Sequence, residues 1–163
     1  MLDTGEQGGT QSLAAGYELG DFVLGRVLGR GGMAVVYEAE QKSLKRRVAL
    51  KVLRHHLTLD AKHLERFQRE ARTAAKLCHD NVIPIHAVGE ANGHAYIAFE
   101  LVRGPTLARV IERLAALPAR PTASDLAKSS GMSSLAGLPS YSAACVSLLH
   151  GVFEAVEFAT DKR

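Results

Sequence analysis

Residues 28–51 read LGRGGMAVVYEAEQKSLKRRVALK. A glycine-rich turn stands between two strand-like runs, and a third such run carries a lysine between apolar neighbours. Gly29, Gly31 and Gly32 lack a Cβ, so the backbone there is expected to reach positive φ and to approach a ligand closely. A bend whose N–H groups converge is an anion cradle. Lys51 would add a mobile cation for the same anion, and the polyphosphate of a nucleotide is the natural occupant.

Outward from that stretch, Phe22–Leu28 and Ala34–Ala39 read as the two arms of a hairpin. Gln41–Arg47 is a polar, basic turn, and Val48–Leu53 is the next strand. Its period of two puts Val48, Leu50 and Val52 on one face and Ala49, Lys51 and Leu53 on the other. A lysine on an apolar flank must snorkel to water or find an acid. The following helix supplies one: Asp60 is an N-cap, and Leu64, Phe67, Ala71, Ala74 and Leu77 recur at helical spacing. Glu70 borders that stripe and can reach the strand on which the helix packs.

His79-Asp80-Asn81 is a loop. Val82–Gly89, weakened at its start by Pro84, and Ala95–Val102 are two further strands joined at Asn92-Gly93. The result is an α+β layer of five antiparallel strands with one helix inserted after the third. Arg103-Gly104-Pro105 breaks the sheet, and Thr106 caps a short helix with Leu107, Val110, Ile111, Leu114 and Leu117 as its apolar positions. Residues 118–139 turn to Pro, Ser, Ala and Gly and read as a surface insertion with one weak helical turn near Asp125. A last helix, over 140–163, carries a wide apolar face from Tyr141 to Ala159. Residues 1–16, rich in Gly, Thr and Gln, read as a disordered leader. The expected organisation is thus 1–16 leader, 17–103 sheet lobe, 104–117 helix, 118–139 insertion and 140–163 helix.

The whole chain of 163 residues is 47% hydrophobic and 23% charged, with a formal net charge of +3. Basic residues are dispersed, which gives no nucleic-acid footprint. Cys78 and Cys145 are far apart, lack metal-ligand spacing and read as reduced thiols of a cytoplasmic protein. The N-terminus shows no signal-peptide pattern. No unbroken apolar run approaches the roughly 20 residues of a membrane helix, so no membrane segment is expected. The histidines share no metal-ligand spacing. Ser129, Ser130, Ser133 and Ser134 could accept phosphate, although serine is common in such segments.

The run over residues 20–117, and less closely 140–163, resembles the N-terminal lobe of the protein-kinase family, in particular bacterial serine/threonine kinases of the eukaryotic (Hanks) type. Gly29-Arg-Gly31-Gly-Met-Ala34-Val-Val36 matches the glycine-rich loop, with Ala34 at the place of a third glycine. Val48-Ala-Leu-Lys51 resembles the strand-three lysine motif, and Arg66-Phe-Gln-Arg-Glu70-Ala the helix whose glutamate pairs with that lysine. Phe99-Glu-Leu-Val102 is similar to the gatekeeper and hinge.

The resemblance implies ATP as cofactor, with Lys51 and Glu70 as the catalytic ion pair. Leu28, Gly29, Arg30, Gly31, Gly32, Met33, Ala34, Val36, Ala49, Lys51, Phe99, Glu100 and Val102 would bind the nucleotide. Leu28, Val36 and Ala49 would roof the base, Glu100 and Val102 would bond it through their backbone, and Glu70 would fix Lys51 and desolvate with it. Arg103 stands where relatives often carry an acid. Mg²⁺ and a protein substrate are implied for the family as well.

Neither a His-Arg-Asp nor an Asp-Phe-Gly triplet occurs in the sequence. The chain therefore lacks the family's catalytic base and its metal ligand, and phosphoryl transfer by this chain alone is not expected. The last helix is expected to be loosely held or to pack on another chain. A competing reading is a short regulatory module that binds a nucleotide or docks on a kinase lobe without catalysis. GxGxxA also fits a dinucleotide fingerprint, but that motif must open a helix, and here Val35-Val36-Tyr37 comes next.

Overall fold

A computed structural model describes residues 12–161. Six antiparallel strands form one sheet in the order β1-β2-β3-β4-β6-β5. They are β1 (Glu18–Leu19), β2 (Phe22–Arg30), β3 (Ala34–Gln41), β4 (Arg46–Leu53), β5 (Ile85–Ala91) and β6 (His94–Glu100). The five expected strands are β2 to β6; β1 adds a two-residue edge that no alternation could announce. The β5–β6 turn places Asn92 at φ 49° and Gly93 at φ 72°, a left-handed pair that suits a tight hairpin.

The chain divides into two compact units, 12–76 with 84–101 and 77–83 with 102–161 among the described residues. In the first unit the pleat separates two cores. One face of the sheet buries Phe22, Leu24, Tyr37, Leu50 and Val52. The other buries Leu53 and Ile97 together with Phe67 and Ala71 of helix α2 (Ala61–Ala74). The Asp60 carboxylate accepts hydrogen bonds from the Lys62 and His63 amides, the N-cap its position predicts. Helix α2 ends before Leu77. A short helix α1 (His55–Thr58) precedes it.

Glycine and the leader both shape the first unit. A Cβ on Gly25 would lie 2.9 Å from the Glu38 carbonyl oxygen, so the irregular pairing between Leu24 and Val27 depends on glycine. Residues 12–17, most of them expected within the leader, instead close onto the sheet: the Leu13 amide donates to Tyr37 Oη at 2.8 Å, and Leu13 and Tyr17 pack on the core. Apolar side chains among the small polar ones made that possible. Residues 1–11 of the leader lie outside the described residues.

The β4–β6 edge carries a pH effect. His94 stacks obliquely on His55 at 5.1 Å between ring centroids. Burial, then the charge of His55, hold the His94 imidazole below its ordinary 6.5, against a backbone hydrogen bond at Leu53. Arg54 lines the same hollow. A depressed folded pKa contributes stability that is complete above the unfolded value and is lost as pH falls through the folded one. The melting temperature of the wild type should therefore drop more between about pH 7.5 and 5.5 than that of His94→Gln.

The second unit corrects the expected insertion over 118–139. This stretch holds helix α4 (Ala123–Ser130), opened by a reciprocal capping box between Thr122 and Asp125 and closed by Gly131 at φ 78°, and then a 3-10 turn (Ser133–Gly137). Ala123, Leu126, Ala127 and Leu135 join Val110 and Leu114 of α3 (Leu107–Ala115) and Ala144 of α5 (Tyr141–Asp161) in a closed core. Small apolar residues with only three leucines give a weak sequence period, yet they pack well where helices approach closely. Thr106 caps α3, as its position suggests, by accepting from the Arg109 amide.

Helix α5 seats its first turns on that core through Tyr141, Cys145 and Leu148. Further along, a Cβ on Gly151 would meet the Asn81 side chain at 2.9 Å. Asn81 also donates to Glu154 at 3.3 Å, so the glycine admits the 77–83 loop. Val146, Val152, Phe153 and Val156 remain exposed. Glu154 and Glu157 break the apolar run, but the 21-residue helix still reaches a mean hydropathy of 1.3 over 18 residues. By length and composition it could span a bilayer, which amends the expectation of no such segment.

Candidate active site

Three neighbouring strands build the face that α2 covers. In register, Val36 lies opposite Lys51 and Lys51 opposite Ile97, while Ala49 lies opposite Phe99. Paired residues in antiparallel strands share a face, so Val36, Ala49, Lys51 and Phe99 form one patch. All four are half-buried. The small Ala49 stands in register between Glu38 and Phe99.

Lys51 Nζ lies 2.7 Å from Glu70 Oε1 and 5.7 Å from the centroid of the Phe67 ring. The helix stripe that buries Phe67 and Ala71 places Glu70 between them, at the rim. The pair is not desolvated as the sequence led one to expect: the Glu70 side chain is 58% exposed and that of Lys51 26%. An ion pair so hydrated contributes no more than about 1 kcal/mol to folding. Its effect is to tether the ammonium to α2, beside the Phe67 ring.

The ribbon differs from expectation in one respect. Left-handed φ is found at Gly20, Gly93 and Gly131, among others, and not at Gly29, Gly31 or Gly32. Gly29 and Arg30 still belong to β2, and the turn is closed by the Gly31 amide donating to the Ala34 carbonyl at 2.9 Å. A Cβ on Gly29 or Gly32 would meet nothing within 4 Å. These glycines therefore leave bare backbone beside open space rather than answering a strained turn. Met33 packs at the edge of the α2-side core and Ala34 is buried in it. Leu28 is 40% exposed.

At the far edge, the Glu100 amide donates to the Pro84 carbonyl at 3.0 Å. Any base contact at Glu100 thus falls to its carbonyl. Val102 belongs to the second unit and is 65% exposed. Glu38, on the same strand as Val36, binds Arg26 at 2.6 Å and Arg47 at 2.8 Å. Those hydrogen bonds, Arg26 first, hold its carboxyl below its usual range. It is a fixed anion whose partners lie 12 and 9 residues away, so helical or strand spacing could not reveal it.

The family model for the protein kinase domain matches residues 22–138. The chain belongs to the protein kinase domain family. Serine/threonine-protein kinase PknE of Mycobacterium tuberculosis is 43% identical over 105 residues, which are 64% of this chain and 19% of that protein. PknD of the same organism is 39% identical over 109 residues, 66% of this chain and 16% of the relative. In three dimensions the kinase domain of Mycobacterium tuberculosis PknI superposes with a TM-score of 0.60 at 24% identity, covering 93% of this chain and 52% of that domain. The chain thus spans about half of a kinase domain and under a fifth of these relatives.

Kinase membership accounts for the α+β architecture: a curled antiparallel sheet with α2 on one face, then the first helices of a second lobe. The relatives named above are bacterial serine/threonine-protein kinases, and the family is one of enzymes. Two helices were expected after the sheet; α3, α4, the 3-10 turn and α5 are present.

Proposed function

We propose that this kinase chain forms the ATP-binding portion of a serine/threonine protein kinase and does not transfer phosphate by itself. The observation that carries the reading is the 2.7 Å contact between Lys51 and Glu70 on the same face as Val36 and Ala49. ATP fits the donor set: a tethered ammonium and bare glycine backbone for the phosphates, and apolar Val36, Ala49 and Phe99 for a flat base. When bound, ATP supplies the phosphoryl group.

The residues of this chain orient and neutralise. Lys51 would hold a phosphate oxygen, Glu70 would keep Lys51 from swinging to water, and the Gly29–Gly32 backbone would close over the chain of phosphates. Glu100 would accept from the base through its carbonyl. Among the described residues no three His, Cys, Asp or Glu side chains gather to hold a metal. The described residues thus offer no clustered ligand set for Mg²⁺. A substrate hydroxyl likewise finds no His-Arg-Asp base in the sequence.

The apolar face of α5 suits the interior of a complete second lobe better than a bilayer. Glu154 and Glu157 would be costly at membrane depth, and Glu154 already bonds Asn81. The test has two arms on the purified chain. A fluorescent ATP analogue should bind saturably and be displaced by ATP, while labelled ATP should leave no phosphate on a general protein substrate. Turnover would overturn the second half of the proposal, and absence of displaceable binding the first.

A further inference from the structure

We propose that Arg54 is a positioning residue for the glycine-rich loop, mooring it from the face of the sheet opposite Lys51. Arg54 comes directly after β4. Its backbone amide donates to the Met33 carbonyl at 3.1 Å, and its guanidinium Nη2 donates to the Gly31 carbonyl at 2.8 Å over 23 residues of sequence. One residue thus holds the loop at two points, on either side of Gly32.

Arg54 lines a hollow with Leu13, Val35, Tyr37, Val52, Leu53, His55 and His94, of which Val35, Tyr37 and Val52 belong to the core that excludes Phe67 and α2. Its Nε is buried and, among the described residues, without a hydrogen-bond partner. The guanidinium thus has its Nε covered and its Nη2 aimed at the Gly31 carbonyl.

The consequence concerns a loop with little else to fix it. Gly29, Arg30, Gly31 and Gly32 are all exposed, and a turn of bare glycines has the largest conformational freedom to lose when it closes on a ligand. The Gly31 amide is tied inward to Ala34, and its carbonyl is tied outward to Arg54. With both ends of that residue engaged, the direction of the loop backbone is set before anything binds, and less freedom is lost on binding. Charge-assisted hydrogen bonds are the stronger kind, which is why one arginine suffices. This inference rests on the nucleotide reading for its effect on binding, but not for its effect on the loop.

Hydrogen exchange of the 163-residue chain, read by mass spectrometry, separates the two. In Arg54→Met, which keeps the apolar stem, amides 31–34 should exchange about tenfold faster, the loss of one charged hydrogen bond. Amides of β3 beyond Ala34, and those of β4, should stay unchanged. The dissociation constant of the fluorescent ATP analogue should rise severalfold. Arg54→Lys, which drops the unpartnered Nε and keeps a cation, should recover part of both effects. Unaltered exchange at 31–34, or acceleration spread evenly across the sheet, overturns the mooring; so does a lysine variant no better than methionine. Failure of the wild type to bind the analogue would instead sink the nucleotide reading, with exchange at 31–34 still deciding the role of Arg54.

Discussion

Lys51→Met should weaken binding of the ATP analogue by about tenfold or more while leaving the melting temperature nearly unchanged. The two halves of that expectation have different physical origins. A lysine held against a phosphate contributes a charge-assisted hydrogen bond worth about 1.5–3 kcal/mol, and methionine supplies none of it. Folding loses little, because the partner Glu70 is 58% exposed and regains water when the ammonium is removed. Methionine keeps the stem that passes Phe67, so packing is conserved. Glu70→Gln should fall between wild type and Lys51→Met in binding, since it frees the ammonium without deleting it. Equal binding by wild type and Lys51→Met in a displacement titration would remove the assignment of Lys51. A fall in both binding and stability would mean that the ion pair is structural.

Leu135→Asp should unfold the second unit and spare the first. Leu135 is 1% exposed, in a core that also holds Leu126, Ala127 and Ala144. A carboxylate there has no cation among its core neighbours, and such a substitution costs more than about 4 kcal/mol. The small core has little stability in reserve, with four of its seven buried members being Ala123, Ala127, Ala144 and Val110. Limited proteolysis checks it: cuts should appear within 77–83 and 102–161 while 18–76 and 84–101 stay protected. A wild-type protease pattern in the variant would mean that residues 118–139 are the loose surface insertion their composition suggests.

That composition conceals a packed core, for a physical reason. Residues 118–139 contain the helix signals that matter, Thr122 three before Asp125 and Gly131 at the C-terminal end. They are masked by Pro118, Pro121 and a run of serines, and by apolar residues too small to register as a stripe. The sheet lobe is plainer. Val48, Leu50 and Val52 alternate with Ala49, Lys51 and Leu53 in sequence as they do across the pleat, because a strand's period is local. Asp60 and Thr106 announce their helices for the same reason: an N-cap acts on amides two or three residues away.

The site residues divide along the same line. Glu70 was legible beside the Phe67–Ala71 stripe, and Val36, Ala49 and Phe99 only through the likeness to kinases. Arg54 and Glu38 were not, since their partners are Gly31, Arg26 and Arg47, brought near only by the hairpins. The glycines of 29–32 were read through their permitted φ, while the structure uses their missing side chains.

From the amino-acid order alone came every element with a strong period, the capping residues, and the likeness to kinases that the family match then showed. Tertiary structure alone decided the hydration of the Lys51–Glu70 pair, the mooring of Gly31 by Arg54, the closed core beneath 118–139 and the bare face of α5. The division is one of range. Periodicity and capping are written within about four residues of chain, whereas burial and cross-strand bonds depend on which distant segments the fold brings together.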